Sequence, residues 1–312
     1  MKIYVIPDVH GSHKWQAVKN EPASSYDYIV FMGDYFDCWE NEWPDQGENF
    51  KAICGFVRED PEHRKLLLGN HDWSYLSKTK HGSGVSGHQH GHIDEIRSLL
   101  TAAKDILDLA FETDGLVFSH AGFSRTWVQS ILNVLGANDA QWSIQFLNDE
   151  WHKLSFTPED HAFNYAFEEL LDWYGFFSPS GNEISQGPLW IRPEALLKDA
   201  YYKRQVVGHT EYCLGEYIII NEPNLQKDDT NYVIMTDSPT HDPLGIIDTQ
   251  LQDEPMSLLE FSKYYKKTLK KINDIKSQAF AQADSRREFI MDKLTNAFGE
   301  NLAQRYYKIY FE

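Results

Sequence analysis

Five apolar runs in this chain each stop at a short polar motif, and that repetition constrains the fold more than any other feature. The runs are KIYVI, YIVFM, KLLL, GLVF and QVV. The motifs that close them are Asp8-Val9-His10-Gly11, Gly33-Asp34-Tyr35-Phe36-Asp37, Gly69-Asn70-His71-Asp72, Ser119-His120-Ala121-Gly122 and Gly208-His209-Thr210. Short runs of β-branched and large apolar residues read as buried strands. The polar residues therefore fall where strands give way to loops, which is where open α/β sheets place their binding crevices. Carboxylate, imidazole and carboxamide groups gathered there suit Mn, Fe, Zn or Mg.

Between the runs the spacing is helical. Residues 1–122 predict helices over His13–Lys19, Glu48–Arg58 and Ile93–Leu107, the last with Ile96, Leu99, Leu100, Ala103 and Leu107 on one face. This alternation implies a largely parallel sheet covered by helices. Residues 123–190, rich in Trp and Phe, have near-3.6 spacing around Val128–Leu135 and His161–Tyr174, and read as an inserted helical region roofing the site. From Gln205 strand-like runs return more closely spaced (QVVG, EYIII, YVIMT, LGIID), as antiparallel meanders require. Two helical stretches, Leu258–Ala283 and Ser285–Tyr307, follow, with Asp284 or Ser285 as N-cap. The division expected is an α/β domain over 1–255 and a C-terminal helical extension over 256–312.

Composition narrows the function classes. The 312 residues allow one large domain or two modest ones, and 42% hydrophobic residues can build a real core. A net charge of −18 argues against stable nucleic-acid binding or a grip on anionic membranes. The acidity is uneven: residues 256–312 hold 11 Lys/Arg against 7 Asp/Glu, net +4, which leaves −22 for the rest. Cys38, Cys54 and Cys213 are odd in number and lack CxxC spacing, pointing to a reducing compartment. No signal-peptide pattern precedes Asp8 and no run reaches the length of a membrane span. A cytoplasmic protein without membrane attachment is expected.

Asp-x-His or Gly-Asp-x-x-Asp alone is common by chance. Gly-Asn-His-Asp is more specific, because a tight glycine turn presents amide, imidazole and carboxylate together. All five in this order resemble the calcineurin-like metallophosphoesterase superfamily over roughly residues 1–250. Ser-His-Ala-Gly followed by Gly-His-Thr resembles the phosphoprotein-phosphatase branch in its bacterial and phage forms. The phosphodiesterase branch usually closes with Gly-His-x-His, and here Glu211 stands where the second His would be.

The resemblance implies an α/β fold, a metallophosphoesterase-type β-sandwich flanked by helices, and two divalent metal ions, Mn foremost with Fe, Zn or Mg as alternatives. Asp8, His10 and Asp34 would hold the first ion, and Asp34, Asn70, His120 and His209 the second. Asn70 would also meet substrate. A carboxylate bridge keeps such ions about 3.5–4 Å apart, and water between them becomes hydroxide near neutral pH. His71 would protonate the leaving alkoxide and Asp37 would orient it, as in the family. The phosphoprotein phosphatases also carry Arg-Gly after the second Asp, whereas this chain runs Asp37-Cys38-Trp39-Glu40. A second phosphate-binding arginine precedes Gly-His-Thr in bacterial and phage enzymes, and Leu189-Trp190-Ile191-Arg192-Pro193 offers Arg192 for bidentate contact.

The expected activity is therefore a phosphomonoesterase resembling the serine/threonine protein phosphatases, acting on a phosphoprotein or a small phosphoester. A nucleotide phosphodiesterase or dinucleoside-polyphosphate hydrolase is the alternative, since Trp39, Trp43 and Trp73 near the motifs could stack a base. A non-catalytic scaffold would show a damaged ligand set, and this one is intact. His81, His88, His90 and His92 lie on a glycine-rich loop after the third motif and read as substrate-facing or solvated. Lys263, Lys266, Lys267, Lys270 and Lys271 read as the wet face of a helix that buries Leu269, Ile272 and Ile275.

Overall fold

A computed structural model describes residues 1–38, 41–77, 85–154, 165–172, 181–211, 218–224, 229–237, 244–248, 255–257 and 286–298, with separate helical positions between 260 and 275. The five runs form β1 (Lys2–Ile6), β2 (Tyr28–Phe31), β3 (Arg64–Leu67), β6 (Leu116–Ser119) and β7 (Arg204–Val207). Short β4 (Leu107–Asp108) and β5 (Ala110–Thr113) precede β6, and β8 (Ile218–Asn224), β9 (Asp229–Met235), β10 (Leu244–Asp248) and β11 (Met256–Ser257) follow β7.

Two sheets result. The first has the order β10-β1-β2-β3-β4, with β1 to β4 parallel and β10 antiparallel against β1. The second has the order β11-β8-β9-β7-β6-β5 and is mixed. Ile3, Val5, Val30, Met32 and Leu67 of the first sheet meet Leu116, Phe118, Val206, Ile219 and Ile234 of the second in one buried cluster. The period of two along each strand places the neighbouring residues on the outer faces. There Ile29, Phe31, Leu66 and Leu68 pack under α1 (Trp43–Glu59) and α3 (Ile93–Ala102). On the far side Val207, Ile220, Val233 and Met235 pack under α7 (Pro193–Lys198) and Phe261. The protein is a β-sandwich flanked by helices, as expected.

α2 (Asn70–Leu76) begins directly at the third motif. Between β6 and β7 lie α4 (Arg125–Leu135), α5 (Ile144–Lys153) and α6 (Tyr165–Leu171). Ser124 and Ser143 cap α4 and α5 by accepting the backbone N–H groups three residues on, from Trp127 and Phe146. Buried indoles anchor this insertion: Trp127 donates to the Leu170 carbonyl and Trp151 to that of Leu107.

Several expectations shift. The first predicted helix is a 3-10 helix, Lys14–Asn20. The third α-helix stops at Ala102, because Leu107 turns into strand β4 and Trp151 donates to its carbonyl. The late strands are only partly a meander: β8 and β9 pair antiparallel, but β10 crosses to the first sheet. Met256–Ser257, at the start of the expected extension, adds a strand beside β8. Further on, Lys263, Lys266, Lys267 and Lys270 are exposed and Ile275 is buried, while Leu269 and Ile272 lie outside the described residues. The last helix described is α8 (Arg286–Phe298), and the caps proposed at Asp284 or Ser285 also lie outside.

Candidate functional site

The C-terminal ends of β1, β2, β3, β6 and β7 converge on one edge of the sandwich. Backbone bonds continue past the strand ends and hold the loops together. Val9, His10 and Gly11 donate to the carbonyls of Gly33, Asp34 and Tyr35, at 3.2, 2.6 and 3.0 Å. Gly208 likewise donates to the His120 carbonyl at 2.8 Å. A side chain at Gly208 would fill the space of the Asp8 carboxylate. Gly33, at φ 110°, lies against the Gly69 backbone, so neither of these positions admits a Cβ.

Asp34 sits at the centre. Its Oδ1 accepts the His71 N–H at 2.9 Å. Its Oδ2 stands 3.6 Å from His120 Nε2, 3.8 Å from His10 Nε2 and 4.0 Å from His71 Nε2. These separations are too long for hydrogen bonds. They suit ligand atoms that each lie about 2.0–2.2 Å from a shared ion. Two groups of potential ligands result, Asp8 with Asp34 and His120, and His10 with Asp34 and His71; Asp34 belongs to both.

Asn70, His120 and His209, expected at the second ion, show the strongest fit to a cation. Burial holds His120 neutral, lowering its pKa to about 3, and burial with the nearby Arg192 charge holds His209 well below its usual range. A neutral imidazole has one N–H. His120 gives it through Nδ1 to the Met32 carbonyl at 2.9 Å, and His209 through Nε2 to the Trp190 carbonyl at 3.1 Å. The remaining nitrogens carry lone pairs. They approach Asn70 Oδ1 to 2.7 Å (His120 Nε2) and 3.0 Å (His209 Nδ1). Three acceptors meeting at one point is an arrangement that a cation satisfies. Outer-nitrogen bonds of this kind are how proteins fix the tautomer of metal-ligating histidines. His10 follows the same pattern, with Nδ1 2.9 Å from the Phe36 carbonyl and Nε2 turned to Asp34.

Asp8 and Asp34 are buried, and among the described residues no lysine or arginine forms an ion pair with either. Burial, then the Asp34 charge, raises the Asp8 carboxyl well above its usual range, although the His209 N–H bonds it at 3.1 and 3.2 Å. Asp34 is raised in the same way, by burial and then Asp72. Paired cations are what such a cluster lacks.

Beside it lies a histidine–aspartate pair. His71 Nδ1 is 2.7 Å from Asp37 Oδ2, and the Asp37 side chain is fully buried. Arg192 ends at the opposite side, its Nη1 donating to the His209 carbonyl at 2.8 Å and to Thr210 Oγ1 at 3.0 Å.

With this geometry in view, comparison places the chain. The model of the calcineurin-like phosphoesterase family matches residues 1–212. The chain belongs to the calcineurin-like phosphoesterase family. As a member it is a metal-dependent phosphoester hydrolase. Among solved structures this phosphoesterase is similar to the cold-active protein-tyrosine phosphatase of a psychrophilic Shewanella species, at 15% identity over 76% of this chain and 70% of that chain, TM-score 0.47. It is also similar to a metallophosphoesterase from Sphaerobacter thermophilus, at 18% identity over 42% of this chain and 54% of that chain, TM-score 0.23. No curated protein matches it significantly.

All nine residues singled out in the sequence gather at this edge of the phosphoesterase. Base stacking by Trp73 does not survive, because Trp73 is buried and its Nε1 donates to Asp172 at 2.8 Å. Trp43 stacks on His92, with centroids 5.0 Å apart, and Trp39 and His81 lie outside the described residues. His88 and His90 help line a cavity of about 330 Å³ with Val85, Gly87 and Gln89.

The roles of three residues escaped the sequence reading. Asp72 accepts the N–H groups of Asp34, Tyr35 and Gly69 at 2.7, 2.9 and 2.9 Å, stapling two site loops together. Asp237 is buried beyond β9, and its Oδ1 has no hydrogen-bond partner among the described residues. It closes the run YVIMT just as the five motifs close theirs, so the same rule extended one strand further finds it. Tyr75 carried no signal beyond its place four residues after His71.

Proposed function

We propose that the chain is a phosphomonoesterase working with two divalent ions, Mn foremost. Asp8, His10 and Asp34 hold one ion, and Asp34, Asn70, His120 and His209 hold the other. The observation that carries this reading is Asp34 Oδ2, poised 3.6 and 3.8 Å from His120 Nε2 and His10 Nε2 and bonded to neither. When bound, the ions supply Lewis acidity toward the phosphoryl oxygens and toward an attacking water. The chain's own side chains do the rest. Asn70 orients substrate beside the ions. His71 delivers a proton from Nε2 to the leaving oxygen, which matters because an alkoxide is a poor leaving group. Asp37, bonded to Nδ1, fixes the ring and stabilises its protonated form. Arg192 grips the terminal phosphate, for which a guanidinium fork is well shaped.

A monoester is favoured over a nucleotide diester because Glu211 replaces the second imidazole of Gly-His-x-His and because Trp73 is unavailable to a base. A phosphoprotein or small phosphoester is the substrate class. The buried thiol of Cys54 fits a cytoplasmic setting. The division into residues 1–255 and a helical extension from 256 is kept as part of the proposal, with β11 as the strand that joins them.

One panel tests the reading: chelated protein reloaded with Mn and offered an alkyl phosphomonoester, a phosphodiester, a phosphopeptide and a dinucleoside polyphosphate. Monoester and phosphopeptide turnover should vanish on chelation, return with Mn, and exceed the others in kcat/KM. Preference for the diester or dinucleoside polyphosphate would replace the proposal with the nucleotide-hydrolase reading.

A further inference from the structure

α2 carries His71 and Tyr75 four residues apart, so their side chains lie one above the other on a single face. Both reach the same carboxylate. Asp37 Oδ2 takes His71 Nδ1 at 2.7 Å, and Asp37 Oδ1 accepts the Tyr75 hydroxyl. Each oxygen of this fully buried acid therefore belongs to one residue of one helix. The phenol oxygen also accepts the Gln89 N–H at 2.7 Å, which links the pair to the 87–92 segment. The Tyr75 ring has no freedom of its own. His88 stacks on it at 4.3 Å and 15°, Phe36 packs edge-on at 6.2 Å, and its solvent exposure is 0%. Burial first, and then the Asp37 charge, push the phenol's pKa upward, so it stays a donor.

A carboxylate held by one oxygen can still turn about its Cβ–Cγ bond, and the imidazole it orients turns with it. A second bond on the other oxygen fixes the plane. We propose that Tyr75 is the positioning residue of the general acid: it locks Asp37 so that His71 Nε2 stays aimed at the leaving oxygen, and it couples that aim to the 87–92 segment through Gln89. The role rests on the phosphoesterase reading of His71 and Asp37 and adds a third member to that pair. His71 and Asp37 meet the reacting proton or its carrier; Tyr75 acts only through Asp37.

Tyr75→Phe tests this with little risk to folding, since the ring and both its stacking partners remain. The variant should bind metal with unchanged stoichiometry and keep its KM within about twofold. Its kcat on an alkyl phosphate should fall about 10-fold, part of the roughly 10²–10⁴ that a placed acid is worth. On an aryl phosphate, whose leaving group needs less help, the loss should stay within about twofold. In a His71→Ala background the same change should cost nothing more, because the residues act as one unit. Equal losses on both substrates, an additive loss in that background, or an unchanged kcat on the alkyl phosphate would overturn the proposal. A readout independent of turnover is the nitrogen NMR signal of His71 Nδ1 in histidine-labelled protein, assigned by its loss in His71→Ala. Tyr75→Phe should shift it, and an unmoved signal overturns the role. If the wild-type protein hydrolyses no phosphoester, the functional reading fails, while this signal still decides whether Tyr75 positions Asp37.

Discussion

Stripping the cations should make the folded chain lose stability as pH rises above neutrality, the reverse of what the metal-loaded chain does. The carboxyls of Asp8, Asp34 and Asp237 are raised well above their usual range by burial first and by neighbouring carboxylates second. Metal-free folded protein therefore keeps protons that the unfolded chain releases near pH 3.8. A group of this kind contributes stability below its unfolded value and loses it as pH climbs through the folded one. His120 and His209 act in the opposite sense, since their lowered values cost stability as pH falls below 6.5. Above about 6.5 both are neutral in either state, and Asp72, raised to about 6, has nearly finished titrating. The raised carboxyls of Asp8, Asp34, Asp237 and Glu211 are left. Each one that stays protonated in the fold from pH 6.5 to about 8 costs about 1.4 kcal/mol per pH unit, about 2 kcal/mol over that span. With an unfolding entropy near 2.1 cal/mol/K per residue, that lowers the midpoint by about 3 °C for each group still titrating. Mn binds the deprotonated ligands, so its affinity grows with pH, and saturation at about 100 Kd adds about 2.7 kcal/mol per ion. Thermal melts in chelator and in Mn at both pH values decide the matter. A metal-free midpoint that is unchanged or higher at the upper pH would refute the account of the buried carboxylates.

Asp34→Asn should lose more metal than any other single ligand change, because one carboxylate serves both ions; elemental analysis after Mn loading that finds an equal or larger loss in His209→Ala would move the bridge elsewhere. Arg192→Ala should cost about 1.5–3 kcal/mol in kcat/KM, as charge-assisted bonds do, and more for a monoester dianion than for a diester monoanion. Because Arg192 also donates to the His209 carbonyl, metal content must be measured alongside, and equal losses on both substrates would make its role purely structural.

The strands that carry the site were readable because burial on both faces forces an unbroken apolar run, and each run had to end at its motif. Helices were readable where apolar residues recur with period 3.6, as in α3 and α4. What escaped the sequence depends on partners far along the chain. β4 is two residues long and joins β3 through backbone bonds, so no periodicity announces it. β10 looks like the third strand of a meander but crosses to the opposite sheet, a choice made by the exposed edge of β1 rather than by its own residues. Trp73 illustrates the limit for side chains. Its position beside His71 was plain, but its burial depends on Asp172, 99 residues away. The roles of Asp72 and Tyr75 were hidden for the same reason, since both act on the loop after β2.

The backbone itself argues that these loops were shaped by the site and not by folding alone. Among the described residues five non-glycine positions have positive φ, and four of them are His10, Asp34, Asp37 and His209, at 40°, 53°, 68° and 59°. The fifth, Asp114, needs no such explanation, because with Gly115 it makes the tight turn of the β5–β6 hairpin. A left-handed conformation costs an ordinary residue about 1–2 kcal/mol, and glycine would avoid that cost. Glycine stands beside three of the four, at positions 11, 33 and 208, so glycine does serve in these same turns. The strained positions instead hold the groups assigned to the ions and to orienting His71. Strain of this size persists only where surrounding bonds over-determine it. Here they do: the His10 N–H is held by Asp34, Asp34 by Asp72, Asp37 by Tyr75, and the His209 N–H by Asp8. The backbone thus sets the direction of these side chains, which is the preorganisation that the proposed two-ion hydrolysis requires.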